Sequence, residues 1–250
     1  MFSDWLLELG HTRLKLARRG KSAPGPATAM PLEDFPNWLQ ASGPAPGSFF
    51  WLAAVPVEAV IATVTDSLAR AGMDWRRVRV GSVDLPVAPS YAGLGVDRWL
   101  AVQPVWRERR AAFCVVDCGS ATTIDLVDAR GVHRGGWILP GIEASRSGLL
   151  SRAPVLKRPA RAVSEPLQPA TDTVLAIERG LLLQQAGAIR LAMESARSLL
   201  HCKQSLPLIL TGGASASLQS LLEPDQNEPD LVLRGLWMAA DCWIGKRDPR

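Results

Sequence analysis

The sequence AAFCVVDCGSATTIDLVD at 111–128 contains the pattern that decides the fold. Apolar residues lead to an acid at Asp117, the turn glycine Gly119 follows, and a second apolar-rich run returns. This order predicts a buried strand, a tight hydroxyl-rich turn and a returning strand. Backbone N–H groups and the hydroxyls of Ser120 and Thr122 can contact a phosphate there, and the Asp117 carboxylate can hold a cation beside it. The stretch therefore predicts either a nucleotide site or an ordinary hairpin with a polar turn.

The N-terminal stretch WLLELGHTRLKLA at 5–17 repeats this pattern. Its Glu8-x-Gly10-x-Thr12 matches the acid, glycine and hydroxyl order of the later hairpin. Two copies, one opening each half, predict a duplicated architecture with lobes at 1–105 and 106–250 and a ligand site in the cleft between them. Two hairpins facing one phosphate chain suit a kinase, because phosphoryl transfer needs positioning and charge neutralisation.

The remaining segments predict alternating strands and helices. Strands are predicted at Phe49–Val55 and Val78–Val83 around a helix at Val57–Ala71, and later helices at Asp172–Glu194 and Leu231–Ile244. A helix is predicted from Asp97 and Arg98 to about Arg109, with a kink or early stop at Pro104. Gly180 and Gly187 are expected to interrupt the long helix, where they would allow close packing against another helix or a subunit. This alternation is typical of an α/β layer fold.

Composition narrows the class of partner. The 250 residues have a formal net charge of +4, which fits an anionic substrate without specifying one. The short basic clusters at 76–79 and 107–110 are interpreted as solvated faces, so no nucleic-acid partner is expected.

Cysteine usage and hydropathy predict a cytoplasmic protein. The four cysteines show no CxxC pairing and are interpreted as reduced core thiols. The N-terminus lacks the pattern of a secretory signal. Residues 35–57 are uncharged, but their prolines prevent a continuous spanning helix, so no membrane partner is expected.

Two further motifs contain candidate site residues. In LGVDRW at 94–99, Asp97 either caps a helix or accepts a proton from a substrate hydroxyl while Arg98 fixes an anionic group. In LTGGAS at 210–215, Gly212 and Gly213 either let a base or ribose approach the backbone or form a plain turn between strand and helix.

Together these motifs resemble a type III pantothenate kinase, a family in the superfamily of sugar kinases, heat-shock chaperone ATPases and actin. The similar segments are ELGHTRLK at 8–15, LGVDRW at 94–99, VVDCGSATTID at 115–125, GGWILPG at 135–141, TDTVLAIERG at 171–180 and LTGGAS at 210–215. The resemblance implies a duplicated actin-like, ribonuclease H-like fold of two lobes, with mixed sheets flanked by helices. It also implies a homodimer that transfers the γ-phosphate of ATP to pantothenate, the first step of coenzyme A biosynthesis.

The resemblance also implies roles for individual residues. Asp97 would be the general base, Asp117 would bind a monovalent cation (K⁺ or NH₄⁺), and Ser120 would contact ATP, with Mg²⁺ as the divalent ion. The first motif would bind ATP through Glu8, Leu9, Gly10, His11, Thr12, Arg13, Leu14 and Lys15. The pantothenate pocket would contain Tyr91, Gly95, Val96, Asp97, Arg98 and, from the partner subunit, Thr173.

Four positions depart from the family pattern. Glu8 and His11 stand where the family has Asp and Asn, Ser120 replaces a threonine, and Tyr91 lies closer to the GVDR motif than expected. Glutamate moves the charge outward by a methylene, and octahedral Mg²⁺ tolerates displacement poorly. The main hypothesis is an active kinase, and the alternative is a catalytically weak homologue with a binding or regulatory role, like Bvg accessory factor. A third hypothesis is a kinase acting on another small alcohol.

Overall fold

A computed structural model describes residues 4–11, 13–55, 57–164, 167–201 and 205–245. Thr12, one of the predicted ATP-binding residues, lies outside the described residues. The chain divides into two compact units. The first contains Met1–Arg110, Gly131–His133 and Asp230–Arg250, and the second contains Ala111–Arg130 and Arg134–Pro229. The division into lobes at 1–105 and 106–250 stays a prediction.

Strands and helices alternate through most of the chain. The strands are β1 (Asp4–Leu9), β2 (Arg13–Arg18), β3 (Thr28–Pro31), β4 (Phe49–Ala54), β5 (Asp74–Arg77), β6 (Phe113–Cys118), β7 (Ala121–Val127), β8 (His133–Pro140), β9 (Leu208–Thr211) and β10 (Gln226–Asn227). The helices are α1 (Phe35–Ser42), α2 (Glu58–Arg70), α3 (Val96–Arg109), α4 (Ile142–Arg152), α5 (Thr173–Leu199), α6 (Ser215–Leu222) and α7 (Leu231–Gly245). Short 3-10 turns occupy Leu32–Asp34 and Pro154–Leu156.

The sheet of the first unit is built around β1. Its order is β3-β2-β1-β4-β5, with β1 antiparallel to β2 and parallel to β4. Leu6, Leu7 and Leu9 of β1 are all buried. Such a continuous apolar run is typical of a central strand covered on both faces. Leu7 and Leu9 pack in a cluster with residues of α1 and α2, and α7 also contacts β1 and β4.

The sheet of the second unit repeats this order. Read from the edge that corresponds to β3, it runs β8-β7-β6-β9-β10, with β6 antiparallel to β7 and parallel to β9. β6 to β10 therefore correspond one by one to β1 to β5. Cys114, Val116 and Cys118 of β6 pack in an apolar cluster with residues of α5 and α6. The predicted duplicated α/β fold with mixed sheets flanked by helices is confirmed.

The C-terminal helix α7 packs closely on α3 within the first unit. A Cβ atom added at Gly235 would lie 2.6 Å from the carbonyl carbon of Leu100, so glycine is required for this approach. Pro104 lies inside α3 and has no N–H to donate to the carbonyl four residues earlier, which is that of Leu100. The predicted kink or stop at Pro104 is wrong as a stop, because α3 continues to Arg109.

Two local predictions differ from the structure. The predicted strand at Val78–Val83 is wrong, since the strand is β5 at Asp74–Arg77. β5 is an edge strand of polar composition, and edge strands need no alternating apolar pattern. α5 runs uninterrupted through Gly180 and Gly187, where an added Cβ would meet no atom within 4 Å. Among the described residues, no helix is both long and apolar enough to span a membrane.

Candidate active site

The first hairpin places its acid and its lysine side by side. Glu8 on β1 pairs in register with Lys15 on β2, and the Lys15 ammonium lies 3.3 Å from a carboxylate oxygen of Asp230. In the turn, the Gly10 N–H donates to the Arg13 carbonyl at 3.0 Å, and His11 is exposed. An added Cβ at Gly10 would also lie 3.0 Å from that carbonyl oxygen, so the turn is tight.

Two predicted ATP-binding residues of this hairpin face the protein interior. Leu9 is 2% exposed and Leu14 is 1% exposed, so their side chains belong to the apolar core. Only their backbone groups are suited to contact a polar ligand. The polar members of the motif are therefore the ones that can recognise a phosphate.

The second hairpin has the same local geometry. Asp117 is half-buried at the end of β6, opposite Thr123 on β7. The Gly119 N–H donates to the Ala121 carbonyl at 3.0 Å, and Ser120 is exposed at the tip. Thr122 is 1% exposed, so its hydroxyl lies inside the unit rather than beside Ser120 at the surface.

The structure brings the TGG turn directly against Asp117. β9 runs parallel to β6 with Thr211 opposite Asp117, and Gly212 follows with φ +87°. An added Cβ at Gly212 would meet the Asp117 carboxylate and lie 2.7 Å from the backbone nitrogen of Cys118. Gly213, in contrast, faces open space. Gly212 therefore lets a backbone turn lie beside the carboxylate, which no residue with a side chain allows.

A fourth segment packs on the hairpin tip, and the sequence analysis gave it no role. The Gly141 N–H donates to the Ser120 carbonyl at 3.1 Å, just before α4 begins. An added Cβ at Gly141 would meet the Gly119 carbonyl and lie 2.7 Å from the Ser120 carbonyl oxygen. The Pro140-Gly141 pair after a strand was the available signal, since it predicts a tight turn.

The LGVDRW segment at 94–99 forms the start of α3 in the first unit. Gly95 occupies the N-cap position, so the interpretation of Asp97 as the helix cap is wrong. The Asp97 carboxylate accepts a hydrogen bond from the Arg98 backbone N–H at 2.9 Å. An added Cβ at Gly95 would lie 2.5 Å from the same carboxylate oxygen, so glycine leaves the room that Asp97 needs. Val96 is buried.

Arg98 joins this motif to Tyr91. Its guanidinium donates to the Tyr91 hydroxyl at 2.9 Å, although the residue is only 6% exposed. Tyr91 itself is 45% exposed. A guanidinium and a phenol at this distance provide donors for a carboxylate or another anionic group.

Thr173 begins α5 in the second unit. The preceding Asp172 is the N-cap and accepts from the Leu175 N–H at 3.0 Å. Thr173 is exposed and lines a groove of about 400 Å³ between α4 and α5. The groove is otherwise mainly apolar, with Leu149, Leu156, Ala176, Ile177 and Leu181 among its lining residues.

Comparison with known proteins identifies the family. The model of the type III pantothenate kinase family matches residues 37–195. A protein of Pseudomonas aeruginosa named type III pantothenate kinase is 36% identical over 179 residues, which are 70% of this chain and 69% of that protein. The chain belongs to the type III pantothenate kinase family. A type III pantothenate kinase of Hahella chejuensis is 38% identical over 153 residues, 61% of this chain and 60% of its own length.

Solved structures outside the curated family members show the fold. A Baf family transcriptional activator of Campylobacter jejuni has a TM-score of 0.65 at 19% identity, covering 98% of both chains. MreB5 of Spiroplasma citri bound to AMPPNP has a TM-score of 0.53 at 9% identity, covering 99% of this chain and 98% of that one. These likenesses confirm the actin-like fold that the resemblance implies.

The family match contains part of the predicted site, because it begins after the first hairpin and ends before the TGG turn. Residues 37–195 include the GVDR segment, the second hairpin and Thr173. They do not include the first hairpin at 8–15 or the TGG turn at 211–213. The first hairpin is also where Glu8 and His11 depart from the pattern of type III pantothenate kinases.

A buried ion pair joins α4 to α5 in the second unit. Two guanidinium nitrogens of Arg146 on α4 donate to the two carboxylate oxygens of Glu178 on α5, which is 6% exposed. These hydrogen bonds to Glu178 raise the pKa of Arg146 above its ordinary value, so the guanidinium stays charged. About two turns further along α5, the Gln185 amide donates to the Pro140 carbonyl at 2.6 Å. α5 thereby holds both α4 and the turn that packs on Ser120.

We expect Glu178→Gln to lower the free energy of unfolding by about 1.5 to 3 kcal/mol, because it removes the buried charged partner of Arg146 and leaves only the exposed Glu143 paired with that guanidinium. Glu143→Gln is the matched control, since Glu143 pairs with the same arginine at 3.3 Å but its side chain is 80% exposed. An exposed pair of this kind contributes less than about 1 kcal/mol. Urea unfolding of both variants measures the difference, and equal losses would contradict a structural role for the buried pair.

The cysteines beside the site are not candidates for chemistry. Burial, with the Asp117 charge as a smaller cause, raises the pKa of Cys118 to about 12. Burial raises the pKa of Cys114 further, again with help from an acid, Asp125. Both stay protonated thiols at neutral pH and are poor nucleophiles and poor metal ligands.

The described residues include no group of three or more His, Cys, Asp or Glu side chains that could hold a metal ion. The Asp117 carboxylate lies beside the second turn, with the backbone of Cys118 nearby. Mg²⁺ in kinase sites is typically bound by one or two carboxylates together with waters and substrate phosphates. Asp117 and the backbone beside Gly212 offer oxygen ligands of this kind to a cation, whether divalent or monovalent.

Proposed function

We propose that this chain transfers the γ-phosphate of ATP to the primary hydroxyl of pantothenate, giving 4'-phosphopantothenate in the first step of coenzyme A biosynthesis. The family match over residues 37–195 supports this most strongly, because it contains both the GVDR segment and the second hairpin. The relatives of Pseudomonas aeruginosa and Hahella chejuensis have the same kinase name. This favours an active kinase over a catalytically weak regulatory homologue.

We assign the role of general base to Asp97. Its carboxylate is half-exposed and held by the Arg98 N–H at 2.9 Å, so it has a defined direction and room for a substrate hydroxyl. A base positioned in this way removes the hydroxyl proton as the oxygen attacks phosphorus. Arg98 and Tyr91, with Gly95 and Val96, then form the pantothenate pocket, in which the guanidinium and phenol bind the carboxylate of the substrate.

ATP binding is assigned to the two hairpins and the TGG turn. In the first hairpin these are residues 8–15, and in the second unit they are Ser120, Gly212 and Gly213, together with Thr122, whose buried side chain leaves only its backbone for a ligand. Support comes from the tight turns at Gly10 and Gly119, whose neighbouring residues His11 and Ser120 are exposed, and from the open space at Gly213. Asp117 would hold a monovalent cation, K⁺ or NH₄⁺. Mg²⁺ would supply charge neutralisation on the transferred phosphate.

We further propose a cytoplasmic homodimer in which Thr173 contacts pantothenate bound to the partner subunit. The support is the mainly apolar groove beside Thr173 and the exposure of Leu183 and Leu191 on α5, which are 58% and 67% exposed. Adjacent apolar surface of this kind is typical of protein interfaces. Cys114, Cys118 and Cys242 are free thiols in the part of the chain that the structure describes, which agrees with a reducing compartment. The proposed reaction needs neither nucleic acid nor membrane as a partner.

The test is ATP-dependent phosphorylation of pantothenate with Mg²⁺ and K⁺ by the wild type and by a double variant, Glu8→Asp with His11→Asn. We expect turnover by the wild type, and a KM for ATP that falls by up to about tenfold in the double variant, because its shorter acid moves toward the family position. The KM for pantothenate should not change. Turnover only in the double variant would support the weak homologue, and ATP binding without turnover in either would point to another acceptor alcohol.

A further inference from the structure

Residues 78–95 connect β5 to α3 without forming a helix or strand of their own. Long connections of this kind inside a compact unit are commonly binding loops. Three alternate residues of the connection, Val83, Leu85 and Val87, are buried, while the residues between them are exposed. The connection is therefore packed against the first unit along one side, and it ends with Tyr91 and the GVDR motif.

One side chain of α3 holds both backbone groups of Val87. The Gln103 amide oxygen accepts from the Val87 N–H at 2.9 Å, and its amide nitrogen donates to the Val87 carbonyl at 2.9 Å. The same nitrogen donates to the Trp99 carbonyl at 3.1 Å, and the Trp99 indole N–H donates to the Val87 carbonyl at 2.8 Å. Gln103 and Val87 are both 0% exposed. A buried amide whose oxygen and nitrogen are both paired fixes a backbone segment strongly.

A second attachment follows three residues later. The Ser90 hydroxyl and the His133 ring nitrogen Nδ1 are 2.7 Å apart, and His133 is 1% exposed. Ala88 and Val132 also form an isolated β-bridge. Val132 and His133 belong to the first unit, so this attachment lies within that unit.

Tyr91 immediately follows the attached part of the connection. Its hydroxyl accepts from Arg98, which lies on the same helix as Gln103. α3 therefore holds the connection at two points, at Val87 through Gln103 and at Tyr91 through Arg98. Loss of the first point loosens the start of the backbone that leads to Tyr91, which stays held by the Trp99 indole and by the attachment at Ser90, while the first turn of α3 keeps its own hydrogen bonds.

We propose that Gln103 is a positioning residue for the acceptor substrate: through Val87 it fixes the 78–95 connection so that the Tyr91 phenol stays against the Arg98 guanidinium. This inference rests on the assignment of Tyr91 and Arg98 to the pantothenate pocket. Gln103 touches no substrate atom. Its effect reaches the substrate only through the backbone from Val87 to Tyr91.

Glutamine is the side chain that meets this requirement. Its amide has one acceptor and two donors, and Val87 and Trp99 use all of these types. Methionine has similar length and volume and no hydrogen-bonding amide, so it keeps the packing and removes the clamp. It leaves the Val87 N–H buried without its acceptor, whereas the Val87 carbonyl keeps the Trp99 indole.

The experiment compares Gln103→Met with the wild type and with Val64→Ala, a buried core change on α2 outside the connection. We expect Gln103→Met to raise the KM for pantothenate by at least about tenfold and to change the KM for ATP by less than about twofold. Hydrogen exchange of the peptide spanning 84–95 should accelerate at least about tenfold in the same variant. Val64→Ala should lower the midpoint of thermal unfolding without either effect.

Equal changes of both KM values in Gln103→Met and Val64→Ala, or exchange of 84–95 as slow as in the wild type, would overturn the proposal. If Gln103→Met does not fold, Gln103→Asn decides, because it keeps the amide but shortens the side chain by one methylene, so it cannot reach both backbone groups of Val87. A rise in the KM for pantothenate alone then supports the proposal, and unchanged kinetics and exchange overturn it. Absence of pantothenate turnover in the wild type would instead refute the proposed function, while the exchange measurement would still decide whether Gln103 fixes the connection.

Discussion

Asp97→Asn is expected to lower kcat for pantothenate phosphorylation by about 100- to 10,000-fold, the range that a general base contributes. Asparagine keeps the side-chain oxygen that accepts from the Arg98 N–H, so the start of α3 should be unchanged. It cannot accept the proton of the substrate hydroxyl at neutral pH. Steady-state kinetics at saturating pantothenate and ATP measure the loss, and the KM for ATP should stay at the wild-type value.

Asp66→Asn is the matched control for this change. Asp66 is an exposed acid on α2, so its replacement removes the same charge from the same unit. We expect kcat to stay within about twofold of the wild type, because a distant exposed charge is largely screened. A kcat for Asp97→Asn within about threefold of the wild type would contradict the assignment of the base.

Gly212→Ala is expected to lower the free energy of unfolding by about 2 to 4 kcal/mol, since alanine is strained at positive φ and the site has no room for a methyl group. The φ of Gly212 is +87°, and the added Cβ would lie 2.7 Å from the Cys118 backbone nitrogen. It would also meet the Asp117 carboxylate. The turn can accept the methyl group only by moving away from that carboxylate, so the affinity for ATP should fall at least about tenfold.

Gly213→Ala is the matched control, because it makes the same substitution at the neighbouring glycine, where the added methyl group meets no atom within 4 Å. We expect the free energy of unfolding of Gly213→Ala to stay within about 1 kcal/mol of that of the wild type. Thermal unfolding of both variants measures the difference. In a chain of this size, the midpoint should fall by about 2 to 4 °C for each kcal/mol of lost stability. Equal midpoints for the two variants would show that the turn is not packed against Asp117.

The duplicated fold was predictable because its signal is local and occurs twice. Each hairpin shows an acid at the end of an apolar strand and a glycine two residues later, as at Asp117 and Gly119. The edge strands were not predictable in the same way. β3 and β5 have only four residues each, and their pairing depends on the neighbouring strands β2 and β4 rather than on a pattern in their own sequence.

The candidate site likewise has one part with a local sequence signal and one part without it. Asp97, Arg98 and the TGG turn were found from short motifs, and their functional roles stay predictions. The contacts that support them join residues far apart in the chain, such as Gly141 with Ser120, Glu178 with Arg146 and Gln103 with Val87. Such pairs have no local sequence signal, because a buried glutamine or glutamate is recognised only when its partner is known.

The most direct test of the account follows the γ-phosphate itself. Wild-type protein is incubated with pantothenate, Mg²⁺, K⁺ and ATP labelled in its γ-phosphate, and the products are separated and identified by mass. The account predicts that the label appears in a monophosphate ester on the primary hydroxyl of pantothenate, and that Asp97→Asn forms this product far more slowly. Label recovered only as inorganic phosphate, or label that stays in ATP, would contradict it.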